Sequence, residues 1–203
     1  MYARKSINFY LDSVASRRPT PGGGSVAALC AALGAALDSM VVNYTLGNKT
    51  YASVEKEMCG IRKKNENIRK RLIGLLDKDT RVYQKLNSVL ALSRQNKKRT
   101  ALVQKYLKEA ANVPFEICIL SFSALILCGR IVKIGNLNLI TDAGCAAYLL
   151  ESAYQCAVLN VKINLKYIKD KNFVRKKREY LTALLRKVVR LKQATIKQLE
   201  RSL

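Results

Sequence analysis

The run PTPGGGSVAALCAALGAAL, Pro19 to Leu37, limits the fold more than any other stretch of the chain. Its second half is alanine, leucine, glycine and one cysteine, good helix formers that put small residues on every face. A helix this smooth is stabilised by neighbours that approach its backbone, either helices of the same chain or a second subunit. Its first half holds three consecutive glycines behind a proline. Glycine loses more backbone freedom on folding than any other residue, so a triplet marks special backbone angles or something coming close.

The other segments read as helices too. Only three prolines occur, two of them flanking the glycines, and no run alternates as a strand would. Ser6 to Ser16 predicts a first helix capped by Ser6, with Ile7, Tyr10, Leu11 and Val14 on one face. A loop follows over 17–24. Ser25 stands at a cap position for a second helix, Val26 to Asn43, which Leu46-Gly47-Asn48 ends. Thr50 to about Ser93 predicts one long helix or two, with Ile61, Ile68, Leu72, Leu75, Leu76, Tyr83 and Leu86 as the apolar stripe. Residues 94–99 form a charged loop and Thr100 to Ala111 a helix. Pro114 marks a kink or a new start, followed by a buried helix from Phe115 to Lys133. After a turn at Gly135 to Asn138, Thr141 caps a helix from Asp142 to about Lys169, and Asn172 to Leu203 is the last. The expected fold is all-α, a bundle of six or seven helices forming one domain over residues 1–203.

Charge is large and segregated. The chain carries 37 Lys and Arg against 14 Asp and Glu, a net of +23. Residues 51–112 hold 16 basic and 6 acidic side chains, and residues 162–203 hold 14 and 3; the apolar segments between are nearly neutral. Such a field attracts polyanions, whether nucleic acid, an anionic surface or a polyanionic small molecule. The basic runs lack interleaved aromatics and no recognised DNA-binding motif is present, so nucleic-acid binding would be non-specific. The longest apolar run, Ile117 to Cys128, is too short to span a membrane, and no membrane association is expected. The start lacks the apolar core of a signal peptide, and the six cysteines have no two-residue spacing, so reduced thiols and a cytoplasmic setting are expected. There is no histidine, which removes the commonest acid/base and the usual zinc frameworks; no metal is expected.

Two loops carry chemistry. A glycine loop feeding a helix presents backbone N–H groups to a polar ligand, although this one lacks the Gly-Lys-Ser/Thr ending of a phosphate loop. In GNLNLITDAG, Asp142 falls in the first turn of a helix, where the helix dipole favours a carboxylate. If the two loops met, they would form a pocket of backbone donors with one carboxylate.

The glycine run followed by SMVVNYTLGNKTY resembles the signature of the cyclodeaminase/cyclohydrolase family. Other segments agree in order: DTRVY at Asp79 to Tyr83, Arg99 and Gln104 ahead of AANVPF, GNLNLITDAGCAA, and NVKINL from Asn160. The resemblance spans roughly residues 5 to 170. It implies an all-helical homodimer and folate chemistry without metal or redox cofactor. The reaction is either cyclodeamination of 5-formiminotetrahydrofolate to 5,10-methenyltetrahydrofolate and ammonia, or hydrolysis of 5,10-methenyltetrahydrofolate to the 10-formyl form. Both need a proton moved to or from a nitrogen or water. On that footing Asp142 is the first candidate acid/base and Asp79 the second. Pro21, Gly22, Gly23, Gly24, Ser25, Asn136 and Thr141 are the expected substrate-binding residues, and Lys49 is expected to meet the glutamate tail, which in cells is commonly polyglutamylated. The alternative is a non-enzymatic basic helical protein. Asp38, in the small-residue helix where the family has a small or apolar residue, is expected to need a basic partner from another helix.

Overall fold

A computed structural model describes residues 1–93 and 95–203. Six α-helices and no strand occur among them: α1 (Ile7–Ala15), α2 (Gly23–Thr45), α3 (Glu55–Leu90), α4 (Arg99–Ile134), α5 (Ile140–Leu165) and α6 (Lys171–Glu200). Of the charged loop expected over 94–99, Arg94 lies outside the described residues, and Arg99 already belongs to α4.

The neutral helices are central. α5 packs on α4 and on α2, while α3 lies against α2 and α4. The small residues of α2 permit this. Ala27, Ala28, Ala31 and Ala35 are fully buried, and a Cβ at Gly34 would stand 2.8 Å from Leu150 Cγ. α2 and α5 run antiparallel, with Gly23 beside Asn160 and Gly34 beside Leu150. The charged helices α3 and α6 each bury one stripe and turn their lysines and arginines outward. α2 and α4 are long and apolar enough to cross a membrane by length and composition, but 61% and 50% of their apolar windows are buried within the bundle.

Ser6 caps α1, its hydroxyl accepting from the Phe9 N–H at 3.2 Å. The other two expected caps do not act as caps. Gly22 precedes α2 with no side-chain bond, because Ser25 is drawn inside, where its hydroxyl shares a 2.9 Å hydrogen bond with Tyr10. Thr141 lies one residue inside α5, exposed; Asn136 instead caps a short 3₁₀ turn, Leu137–Leu139, that leads into the helix.

Pro114 neither breaks nor restarts α4. Proline leaves the carbonyl four residues back without its helical donor. That carbonyl, on Ala110, accepts instead from Asn164 Nδ2 of α5 at 3.0 Å. A side chain of one helix thus repairs the ladder of another.

Asp38 has no basic partner. It is fully buried on α2, and neither carboxyl oxygen has a hydrogen-bond partner among the described residues. The neighbouring Cys128 thiol spends its hydrogen on the Ala143 carbonyl at 3.2 Å. Burial pushes the Asp38 carboxyl well above the usual carboxylate range and so favours its protonated form.

Candidate active site

Four helices leave a cavity of about 590 Å³ at the N-terminal end of α2. The glycine loop supplies Pro19, Thr20, Gly22, Gly23 and Gly24, and α3 supplies Asp79, Tyr83, Leu86 and Leu90. Val103, Gln104, Leu107 and Ala110 come from α4. Asn160, Ile163 and Asn164 come from α5, with Tyr167 just beyond it. A few polar groups, Asp79 and Asn160 beside the glycines and Gln104 farther along, interrupt a largely apolar wall, the usual make-up of an organic ligand site.

Asp79 is the one acid in this lining. Its carboxylate stands against Gly24 so closely that a Cβ there would overlap it. Here the glycine answers a close approach, since a side chain would evict the carboxylate. The Ser25 backbone N–H donates to Asp79, as the first turn of a helix offers its unpaired N–H groups. Burial outweighs that bond and pushes the Asp79 carboxyl up to about 6. A group near that value exchanges protons readily around neutrality, as an acid/base catalyst must. Behind it, Tyr10 of α1 holds the Ser25 hydroxyl and so fixes the turn that holds Asp79.

The rest of the wall is built by amide side chains. Gln104 accepts from the Lys169 N–H at 2.8 Å and donates to the Tyr167 carbonyl at 3.2 Å, pinning the end of α5 to α4. Asn164 donates to Ala110 and also to the Asn160 carbonyl, at 2.9 Å. Asn160 Nδ2 donates to the Cys156 carbonyl at 2.9 Å, and a Cβ on Gly23 would press on that amide at 3.1 Å. The glycine loop, DTRVY, Gln104 with the AANVPF segment, and NVKINL therefore meet around one space.

Of the expected site residues, Gly22, Gly23, Gly24 and Asp79 line the cavity, with Pro21 and Ser25 buried directly behind it. The second loop lies elsewhere. Asn136 is tied to the other end of α2: its N–H donates to Thr45 Oγ1 at 2.9 Å and its Nδ2 to the Tyr44 carbonyl at 3.1 Å. Thr141 and the half-buried Asp142 follow it at the start of α5, and exposed Lys49 begins a 3₁₀ turn just after α2. Twenty-two residues of helix separate the two ends, about 33 Å. Within one chain the two loops do not meet.

Sequence reasoning gave no site role to Gln104, Asn160 and Asn164, and it placed Tyr83 in the apolar stripe of α3, whereas the ring is exposed and lines the cavity. Two signals pointed to the asparagines: Asn160 and Asn164 share one helical face, and Pro114 leaves an acceptor that a neighbouring amide must fill.

The sequence matches the formiminotransferase-cyclodeaminase family over residues 6–183. It is 35% identical over 189 residues to a methenyltetrahydrofolate cyclohydrolase from Methylorubrum extorquens, covering 91% of each chain. Against the formimidoyltransferase-cyclodeaminase of Rattus norvegicus the identity is 32% over 184 residues, which is 89% of this chain and 34% of the rat protein. The solved structure of a formiminotetrahydrofolate cyclodeaminase from Thermotoga maritima matches with a TM-score of 0.91 and 34% identity over 98% of both chains. With four motif-bearing segments lining one cavity and similarity running along nearly the whole chain, this protein belongs to the formiminotransferase-cyclodeaminase family.

Proposed function

We propose that this protein is a folate one-carbon enzyme, a cyclodeaminase or cyclohydrolase acting on the bridge between the two reactive nitrogens of tetrahydrofolate. The observation that carries this reading is the seating of Asp79 against Gly24 at the glycine end of the cavity. It also favours enzyme over basic binding protein, because the group it presents to the cavity is a carboxylate rather than a cation.

One carboxyl suffices for either reaction. In cyclodeamination, N10 attacks the carbon of the protonated formimino group, whose nitrogen becomes an amino group, and Asp79 takes the proton that N10 gives up. The same carboxyl returns it to the amino group of the tetrahedral intermediate. Ammonia leaves with the C–N electron pair, and the methenyl cation remains. In hydrolysis, water attacks the methenyl carbon and loses a proton to Asp79, which delivers it to N5 as that C–N bond breaks; the remaining hydroxyl proton passes to solvent as the formyl carbonyl forms. The anionic carboxylate also stabilises the cationic bridge. Residues Gly22 to Gly24 let the pterin approach bare backbone, and the amides of Asn160 and Asn164 provide polar wall beside it. The chemistry draws on no cofactor beyond the folate itself. The six cysteines are unpaired, which suits a reducing, cytoplasmic setting.

The test follows the near-ultraviolet absorbance of 5,10-methenyltetrahydrofolate, starting from that compound or from the 5-formimino form. Loss from the first marks a cyclohydrolase; growth from the second, with ammonia release, marks a cyclodeaminase. Asp79→Asn should lose most of the activity in both, and no activity in the folded wild-type protein would refute the proposal.

The surface favours a homodimer as well. Between Gly23 and Gly47 α2 exposes no Lys, Arg, Asp or Glu, in a chain of net charge +23. Val26, Leu33, Met40 and Tyr44 are exposed along it, with Tyr148, Leu159 and Ile163 on the adjoining α5. An uncharged apolar face of that length suits a second copy. Antiparallel pairing of α2 with its counterpart would carry Lys49, Asn136 and Asp142 of each chain toward the cavity of the other. Asp142 would then serve beside Asp79 rather than in its place. Leu33→Arg should halve the mass measured by light scattering; an unchanged mass would remove this face from the interface.

A further inference from the structure

Among the described residues no cation lines the cavity, although the chain is strongly basic. A folate is a linear ligand: a pterin, an aminobenzoyl ring, then a glutamate carrying carboxylates. If the pterin sits at Asp79, the ring falls among Leu86, Leu90, Val103 and Leu107, and the glutamate emerges beyond Leu90. From Asp79 to Leu90 is three turns of α3, about 16 Å.

Arg99 stands at that far end. It shares its face of α4 with Val103 and Leu107, one and two turns along, both of which line the cavity. Its Nη2 donates to the carbonyl of Leu90, itself a lining residue, at 3.1 Å. Its Nε is buried and has no hydrogen-bond partner among the described residues. No carboxylate pairs with it there. A guanidinium anchored by one nitrogen, with another N–H buried and unmet, is set up for an incoming anion. Lys97 and Lys98, just before it, are exposed. Lys49, the cation expected from sequence, is at the opposite end of α2.

We propose that Arg99 is a specificity-determining residue that binds a carboxylate of the glutamate tail; this rests on the folate reading above. Arg99 contributes to binding rather than to chemistry, so its loss raises KM and leaves kcat in place.

The experiment compares 5,10-methenyltetrahydrofolate with the matching tetrahydropteroate, which lacks the glutamate. Calorimetric binding of 5-formyltetrahydrofolate and its tail-less counterpart is measured alongside. The expected result for Arg99→Gln is a KM and Kd raised roughly tenfold or more for the glutamyl compounds, with little change for the tail-less ones. Arg99→Lys, which keeps the charge and loses the planar fork, should fall between. Lys97→Ala serves as the control for general charge and should cost much less. The proposal is overturned if Arg99→Gln weakens both kinds of ligand equally, or if Lys97→Ala costs as much. A wild-type protein that binds and turns over none of these compounds would sink the folate reading and this inference together. Wild-type activity with no tail dependence at Arg99 would sink the inference alone.

Discussion

Asp79 and Asp38 are both withdrawn from water, and burial raises both carboxyls, yet their surroundings differ in kind. Asp79 faces a cavity, rests on a glycine and receives a backbone N–H from the start of α2. Its proton can come and go. Asp38 is sealed between helices beside the Cys128 thiol, and among the described residues neither oxygen has a hydrogen-bond partner. Its proton has nowhere to go. A raised carboxyl therefore marks a candidate catalyst only where the structure also supplies access and a partner for the charged form.

The largest contrast should come from matched substitutions. Asp79→Asn should cut turnover by a factor of roughly 10² to 10⁴ with the fold intact. Asp38→Asn should leave turnover near wild type. Steady-state assays on both variants, with circular dichroism as the folding control, test the pair; equal losses would erase the distinction. Gly24→Ala comes next. Its methyl group must push Asp79 out of position, and a misplacement of about 1 Å is worth roughly 10²-fold in rate. The loss should appear in kcat while the melting temperature stays close to wild type.

Smaller effects fall on stability. Asn164→Leu leaves the Ala110 carbonyl without a donor inside the bundle and should cost about 1–3 kcal/mol in urea unfolding. Asp38→Ala should go the other way, raising stability by about 1 kcal/mol, because it removes unpartnered polar atoms at the cost of a small void. The pH dependence has a definite sign. A carboxyl with a raised folded-state pKa binds its proton more tightly when native. Its contribution is complete below the unfolded value near 3.9 and is lost as pH rises toward the folded value. The stability of wild-type protein relative to Asp38→Ala should therefore fall from about pH 4 upward, which unfolding of the two proteins across pH measures.

Much of the fold was legible because it rests on local rules. Ser6 as a cap, the glycine end of α2 at Gly47 and the apolar stripe of α3 follow from residue type and spacing. Gly47 is in fact the one described residue with positive φ. What local rules missed was decided by partners from other helices. Pro114 read as a kink or a new start, since no spacing shows that Asn164, fifty residues away, will supply the missing donor. Ser25 read as a cap because the Tyr10 hydroxyl that draws it inward lies on another helix. The site divides the same way. The glycines and Asp79 stood out by composition and motif. Asp142 stood out as strongly, but whether two loops meet depends on which ends of which helices pack together. The antiparallel pairing of α2 and α5 sets them at opposite ends of one chain.

The central claim is that Asp79 carries the proton. Its most direct test is the pH dependence of kcat/KM on the methenyl or formimino substrate. The wild-type profile should show a limb with an apparent pKa near 6, which Asp79→Asn removes from a low and level residual rate. A limb of unchanged position and height in Asp79→Asn would contradict the account.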